Sequence, residues 1–376
     1  MLDRTQRLRR ACASVVVALV AAMVLASCGS GGGAGPKNQQ NALRPAGPYA
    51  HKILNLFTPF FWIAILIGIA VTTATIYVAV RFRVKPGEER MPKQTHGNTA
   101  LEVGWTIVPA LILAVMAVPT VATIFDLARE PVGPNVLHVT VSARQWWWQF
   151  TYDDGTNIVT ANELHIPVRT PVSLSLVGPP LCTGPRCYSN GVIHSFWIPE
   201  LNGKKDVVPG RTQFLKLYAD HPGTYRGQCA EYCGLSHADM RMRVIASSQA
   251  DFKAWQASQL AAKPESFYLT GVDNSTWHCT ECHSFVPKVP GAQAPNLTHL
   301  ADRQAFAGDI YKMNFDNLWQ WIWNAPARKP MGNLQGHMPS FKNDRGMTEQ
   351  QAKDIACFLL KNTATNPPAT VEGCPS

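Results

Sequence analysis

Two almost wholly apolar runs, Leu56 to Val80 and Leu101 to Phe125, constrain this chain more than any other feature. Each is long enough to cross about 30 Å of hydrocarbon as a helix. Trp62 and Tyr77 lie near the ends of the first run and Trp105 near the start of the second, where amphipathic rings settle at a membrane boundary. The segment between the runs carries Arg81, Arg83, Lys85, Arg90 and Lys93, and such residues mark the cytoplasmic side. The pattern predicts a transmembrane hairpin over 51–130, with spans at about 56–80 and 101–125 and both chain ends outside. Two buried helices of a soluble protein are the competing reading, but apolar runs this long rarely occur there. A mean hydropathy of −0.06 is too polar for a many-span transporter, so the hairpin anchors a large water-exposed part. Charged residues make up 16% of the chain, below the quarter or so usual in soluble domains, which argues against a disordered or nucleic-acid-binding protein. The net charge of +9 is scattered, with no continuous basic run, and the flanks of the spans account for part of it.

Arg4, Arg7, Arg9 and Arg10 precede a short apolar stretch from Ala11 to Ala26 that ends in Leu25-Ala26-Ser27-Cys28. A basic start, an apolar middle and small residues at the end describe a secretory signal. The ending resembles a bacterial lipoprotein cleavage box, which implies a signal over 1–27 and lipidation of Cys28. Plain cleavage near Ala26, leaving Cys28 unmodified, stays open. The glycine-rich stretch that follows reads as a flexible tether within 28–50. Ten cysteines suit a compartment outside the cytoplasm, where disulfides persist and haem is attached to thiols.

From Val136 to about Ser247 the pattern changes to short alternating runs, such as Val136–Val141, Val172–Val177, Phe214–Tyr218 and Met240–Ile245, divided by turn residues. This predicts an all-β sandwich or Greek-key barrel over 134–250. Near its end stands Cys229-Ala-Glu-Tyr-Cys233-Gly-Leu-Ser-His237-Ala-Asp-Met240, and His194 lies earlier. Two thiolates, two imidazoles and a thioether form a soft donor set that selects copper or zinc. Zinc would be content with two Cys and two His, whereas the methionine is what a copper site uses as a weak axial ligand. Two thiolates on one loop can bridge two copper ions. A Cys229–Cys233 disulfide and a zinc site remain open on the residues alone. Glu102 lies near the inner end of the second span, where a carboxylate is either functional or simply hydrated at the interface. Trp146 and Trp148 are expected to share one face of a strand, because alternate residues do.

The string Gly227-Gln-Cys-Ala-Glu-Tyr-Cys-Gly-Leu-Ser-His-Ala-Asp-Met240 resembles the copper A loop of cytochrome c oxidase subunit II. Leu101-Glu-Val-Gly-Trp-Thr-Ile-Val-Pro109, Arg144-Gln-Trp-Trp-Trp148, His194-Ser-Phe-Trp-Ile-Pro199 and Asp206-Val-Val-Pro-Gly-Arg211 match that family too, so the likeness covers roughly residues 50 to 250. It implies a cupredoxin-like fold carrying a two-copper, mixed-valence electron carrier. It also implies that Cys229 and Cys233 bridge both ions, that His194 and Met240 complete one copper, and that His237 and the Glu231 carbonyl complete the other. By the same likeness, the Glu231 side chain is a candidate for a magnesium ion shared with subunit I, Glu102 for the mouth of a proton channel, and Trp146 for an aromatic on the electron route. Cys182 and Cys187 flank an apparent insertion and read as a small disulfide loop.

After a polar helical stretch, Gln249 to Pro264, comes Cys279-Thr-Glu-Cys282-His283, the attachment sequence of c-type haem. The thiols add to the vinyl groups and His283 binds the iron. Met338 is the expected distal ligand, with Met331 and His337 as competitors; a thioether there raises the haem potential. Ala294-Pro-Asn-Leu-Thr-His299 resembles the haem-lining segment of small cytochromes c, with Ala294 where that family usually has Gly. Met347 to Asn362 reads as a helix with Ile355, Phe358 and Leu359 on one face. Cys357 and Cys374 are left for a disulfide near the C-terminus. An all-α cytochrome c domain is expected over 262–376.

Signal, hairpin, copper sandwich and cytochrome together resemble subunit II of a bacterial caa-type haem–copper oxidase. The resemblance implies an electron-transfer subunit of cytochrome c oxidase, a translocase of the plasma membrane, with its copper and haem domains on the outer face. Electrons would pass from haem c through copper A to haem a of subunit I, where oxygen is reduced to water with proton pumping. Implied partners are subunit I and other oxidase subunits, membrane lipid, and cytochrome c or a cytochrome bc complex as donor, with no nucleic acid. Alternatives are the corresponding subunit of a copper A-containing nitric oxide reductase and a non-enzymatic copper carrier.

Overall fold

A computed structural model describes residues 40–84, 86–87, 91, 94, 96–178, 191–261, 274–291, 293–332, 337–366 and 370–374. Cys28, Cys182, Cys187, and Lys85, Arg90 and Lys93 of the hairpin loop lie outside them.

The two apolar runs form helices α1 (Pro48–Arg81) and α2 (Thr99–Ala128), both longer than the spans read from hydropathy alone. The surplus comes from polar ends. Pro48 occupies the first turn of α1, where its missing N–H is unneeded. At the start of α2 the Asn98 side chain accepts from Ala100 N at 3.1 Å and Leu101 N at 3.3 Å, which satisfies helix-end donors. Both helices expose nearly their whole apolar surface, as lipid-facing helices do. At their outer end they are tied to each other and to the rest of the chain. Lys52 pairs with Asp126 at 2.5 Å, and Lys216 Nζ donates to the Asp126 carbonyl at 2.6 Å. Just before α1, Ala46 N donates to Glu200 O at 2.7 Å and Ala46 O accepts from Asp220 N at 2.9 Å.

The alternating segments form a two-sheet sandwich. Its strands are β1 (Leu137–Arg144), β2 (Trp147–Tyr152), β3 (Val159–Ala161), β4 (Glu163–Pro167), β5 (Val172–Val177), β6 (His194–Trp197), β7 (Lys205–Val207), β8 (Thr212–Leu217), β9 (Gly223–Cys229) and β10 (Arg241–Ser247). One sheet runs β3-β2-β1-β5-β8 and the other β4-β10-β9-β6-β7. The β1–β5 and β4–β10 pairs are parallel and the remaining pairs antiparallel. In β1 the alternation is clean: Leu137, Val139, Val141 and Ala143 point inward. They meet Trp148, Phe150, Leu174, Leu176, Phe196 and Val244 in the core.

The tryptophan triplet departs from the strand expectation. Trp146 sits in the turn between β1 and β2, only Trp147 and Trp148 belong to the strand, and all three are buried. Trp146 and Trp148 still join the same core, although Trp146 does so from the turn, and Trp147 instead lines a cavity with Leu318 and Trp321.

Helix α3 (Gln249–Leu260) is capped by Ser248 and lays Trp255 flat on His165, ring centroids 4.2 Å apart. The C-terminal unit is built on α4 (Phe315–Arg328) and α5 (Glu349–Asn362), with Leu318, Ile322, Phe341, Met347 and Ile355 in its core. Thr348 and Gln351 form a reciprocal cap at the start of α5. Its buried face is Ala352, Ile355, Ala356, Leu359 and Leu360, while Phe358 is only half-buried; the face is centred about one residue away from the expected stripe. Cys357 and Cys374 form a disulfide.

Candidate metal and haem centres

Strand pairing assembles the sulfur–imidazole cluster. Strands β6 and β9 are neighbours with Phe196 opposite Cys229, which brings His194, at the start of β6, beside the end of β9. The chain between β9 and β10 then closes on itself. Cys229 N donates to Met240 O at 2.9 Å and Ala230 N to Ser195 O at 2.9 Å. Gly234, with φ +111°, turns the loop where a Cβ would stand 3.0 Å from the Trp146 ring, so a side chain there would be strained and crowded. A short 3-10 turn, His237–Asp239, returns the chain to β10.

The expected donors converge. Cys229 Sγ lies 3.8 Å from Cys233 Sγ, 3.9 Å from His194 Nδ1 and 3.2 Å from the Glu231 carbonyl. Cys233 Sγ lies 3.6 Å from His237 Nδ1 and 3.9 Å from Met240 Sδ. Cys229, Cys233, His194 and Met240 are buried. The contact with Cys233, then that with His194 and two backbone bonds, holds the Cys229 thiol well below the usual thiol range. The same shared contact and burial push Cys233 up. Metal binding replaces such a proton. Two sulfurs placed between two imidazoles, with a thioether and a carbonyl at the flanks, fit a pair of soft ions better than one tetrahedral zinc. No disulfide joins Cys229 and Cys233. Trp146 Nε1 and Gln145 Nε2 both donate to the Cys233 carbonyl, at 2.9 and 2.8 Å, so the turn before β2 braces the loop from outside.

A second centre lies beyond that turn. Cys279 and Cys282 span one helical turn, and His283 N donates to Cys279 O at 2.9 Å. His283 Nδ1 lies 2.7 Å from the Pro295 carbonyl. A carbonyl only accepts, so Nδ1 carries the proton and Nε2 is left for a metal. Burial pushes His283 down to about 4, which keeps the imidazole neutral. His283 and Met338 line one cavity together with Leu297, Leu318, Ile322, Leu359, Trp146 and Trp147. Met331 and His337 line it too. Two thiols on one turn, a neutral imidazole and an apolar cavity fit a covalently attached haem.

Glu102 stands apart from both centres, exposed in the first turn of α2. Sequence reasoning missed the groups that join the sandwich to the C-terminal unit. Glu163 Oε1 accepts from Gln304 N at 2.7 Å and Ala305 N at 3.1 Å. Arg243 Nε donates to Asp309 at 2.5 Å and lies 3.8 Å from Glu163. Lys329 Nζ reaches Trp146 O. These partners are 66 to 183 residues apart, and no local motif marks them.

Three family models match the chain: "Cytochrome C oxidase subunit II, transmembrane domain" over residues 36–123, "Cytochrome C oxidase subunit II, periplasmic domain" over 184–248, and "Cytochrome c" over 270–363. Cytochrome c oxidase subunit 2 of Alkalihalophilus pseudofirmus is 34% identical over 330 residues, covering 85% of this chain and 89% of that protein. Its counterpart from Bacillus sp. strain PS3 is 32% identical over 363 residues, covering 90% and 94%. Among solved structures, the periplasmic domain of subunit II of cytochrome oxidase of Bradyrhizobium japonicum is 24% identical. It covers 35% of this chain and 96% of that one, with a TM-score of 0.30.

Proposed function

The chain belongs to the cytochrome c oxidase subunit II family, and on that premise we propose that it takes electrons in at its own haem and hands them on through a copper pair to subunit I. The observation that carries this reading is the convergence of Cys229, Cys233, His194, His237, Met240 and the Glu231 carbonyl within 3.9 Å contacts, one turn away from the cavity that holds His283 and Met338. When bound, haem c and copper A supply one-electron relay chemistry, which in this reading feeds haem a of subunit I, where oxygen is reduced to water with proton pumping.

The side chains have separate roles. Cys279 and Cys282 anchor the haem, and His283 and Met338 ligate it. Cys229, Cys233, His194, His237, Met240 and the Glu231 carbonyl would hold the copper pair between them. A loop held at both ends by strands keeps donor positions constant while charge changes, which limits reorganisation. Trp146, fixed to the Cys233 carbonyl on one side and bordering the haem cavity on the other, is the aromatic on the route. The Glu231 side chain serves a magnesium ion shared with subunit I, and Glu102 a proton path in that subunit. The hairpin sets the protein in the bacterial plasma membrane with both centres outside, and Cys28 adds a lipid anchor. The donor is cytochrome c or a cytochrome bc complex.

The test is stopped-flow reduction of the assembled oxidase by cytochrome c, with haem c and copper A followed at separate wavelengths. Haem c is reduced first and copper A follows. Reduction of copper A ahead of haem c overturns the order.

A further inference from the structure

Lys329 follows α4 and is 3% exposed. An ammonium has three donors and no acceptor, and here all three are used on backbone carbonyls: Trp146 O at 2.8 Å, Asp239 O at 2.9 Å and Ala307 O at 3.0 Å. The three carbonyls come from three places. Trp146 belongs to the turn that braces Cys233. Asp239 precedes Met240 on the copper loop. Ala307 belongs to the wall of the haem cavity. Removing an ammonium from water costs several kcal/mol, and only a full set of charge-assisted bonds offsets that. Neighbouring contacts follow the same seam: Arg241 N donates to Gly308 O at 3.1 Å, Ser236 Oγ to Pro330 O, and the His337 ring lies 4.9 Å from that of Trp146.

We propose that Lys329 is a positioning residue that holds Trp146, the copper loop and the haem cavity wall in one docked arrangement, so that electron transfer between the centres starts from a fixed geometry and not from a tethered search. The inference rests on the reading that electrons pass from haem c to copper A. That step moves one electron, oxidising the haem by one and reducing the copper pair by one, with no bond made or broken. A flexible linker alone gives an effective concentration of roughly millimolar order, and each transfer would then wait for the two units to meet. Lys329 removes the wait.

The experiment uses the assembled oxidase with Lys329→Met, which keeps the stem's bulk and removes every donor. The haem and near-infrared copper bands are recorded, and the haem-to-copper transfer rate is measured after rapid one-electron reduction in buffers of rising viscosity. The expected result is two native bands and a rate lowered roughly tenfold to a hundredfold. The variant's rate should fall further with viscosity while the native rate does not, and Lys329→Arg should recover part of the loss. A native-like rate, or one insensitive to viscosity, overturns the proposal. Should Lys329→Met lack either band, Lys329→Gln is measured by the same criteria. Loss of a band in both variants also overturns it, because the residue would then hold the fold and not the docking. A native protein whose haem passes no electron to copper would instead defeat the functional reading and leave the geometry of Lys329 untouched.

Discussion

Replacing Glu163 by Gln should flatten the pH dependence of stability between about pH 4 and pH 7.5. Glu163 is 3% exposed at the seam between β4 and the C-terminal unit. Burial raises its carboxyl from 4.5 to about 7, against the opposing pull of Arg243, of the Ala305 and Gln304 N–H groups and of Arg303. Asp309 shares Arg243 and is raised by burial as well, and His165 lies 4.0 Å from the carboxyl. The folded chain thus keeps a proton on Glu163 that the unfolded chain gives up at lower pH. The resulting stabilisation is fully present below about pH 4.5 and is lost as pH rises through about 7. At roughly 1.4 kcal/mol per pKa unit, the gap corresponds to about 3 kcal/mol. Gln keeps an oxygen for both N–H donors and does not titrate. The assay is guanidinium unfolding of the full chain in detergent, native and variant, at several pH values, followed by tryptophan fluorescence. The native protein should lose about 3 kcal/mol more than the variant across that interval. A difference between the two that stays constant with pH would refute the reasoning.

In the proposed copper pair Cys229 is a shared ligand, which Cys229→Ser would remove. Metal analysis should find the pair lost and its near-infrared band gone, with the haem bands intact; two coppers per chain and an unchanged band would reject the bridge. Met338→Ala should lower the haem potential by removing a thioether, as read by redox titration, whereas an unchanged potential would move the distal ligand to Met331 or His337. Cys357→Ser opens a link across 17 residues and should reduce stability by about 3 kcal/mol on the loop-entropy account. An unfolding midpoint equal to the native one would show that the buried contacts of α5 suffice.

Legibility in the sequence followed the range of the interactions. The hairpin was readable because lipid demands a continuous apolar run, and Leu56 to Val80 and Leu101 to Phe125 supply it with few interruptions. The sulfur–imidazole cluster was readable because Cys229, Cys233, His237 and Met240 share one loop, leaving only His194 to be found elsewhere. The tryptophans were legible in part: Trp146 and Trp148 do join one core, but Trp146 reaches it from a turn and not from a strand. Period-two alternation holds only inside a strand with one covered face, yet Trp146 lies in a turn and Trp147 lines a cavity with residues of the C-terminal unit. Lys329 reads as a surface cation in Ala-Arg-Lys-Pro. Its burial depends on a carbonyl 183 residues away, which no window of sequence reaches.

The outer ties of the hairpin have a consequence for how this protein can change length in evolution. Ala46 is hydrogen-bonded into the sandwich just before α1, and Lys216 grips the carbonyl of Asp126 near the end of α2, so neither helix is on a swivel. Each therefore transmits angular phase from the copper domain down through the bilayer. One residue inserted in α1 would turn everything beyond it by about 100° and push it by about 1.5 Å. Its lower half would then present the wrong stripe to α2. Insertions should accordingly be tolerated in near-whole turns, matched in both helices, or else confined to the loop that joins them.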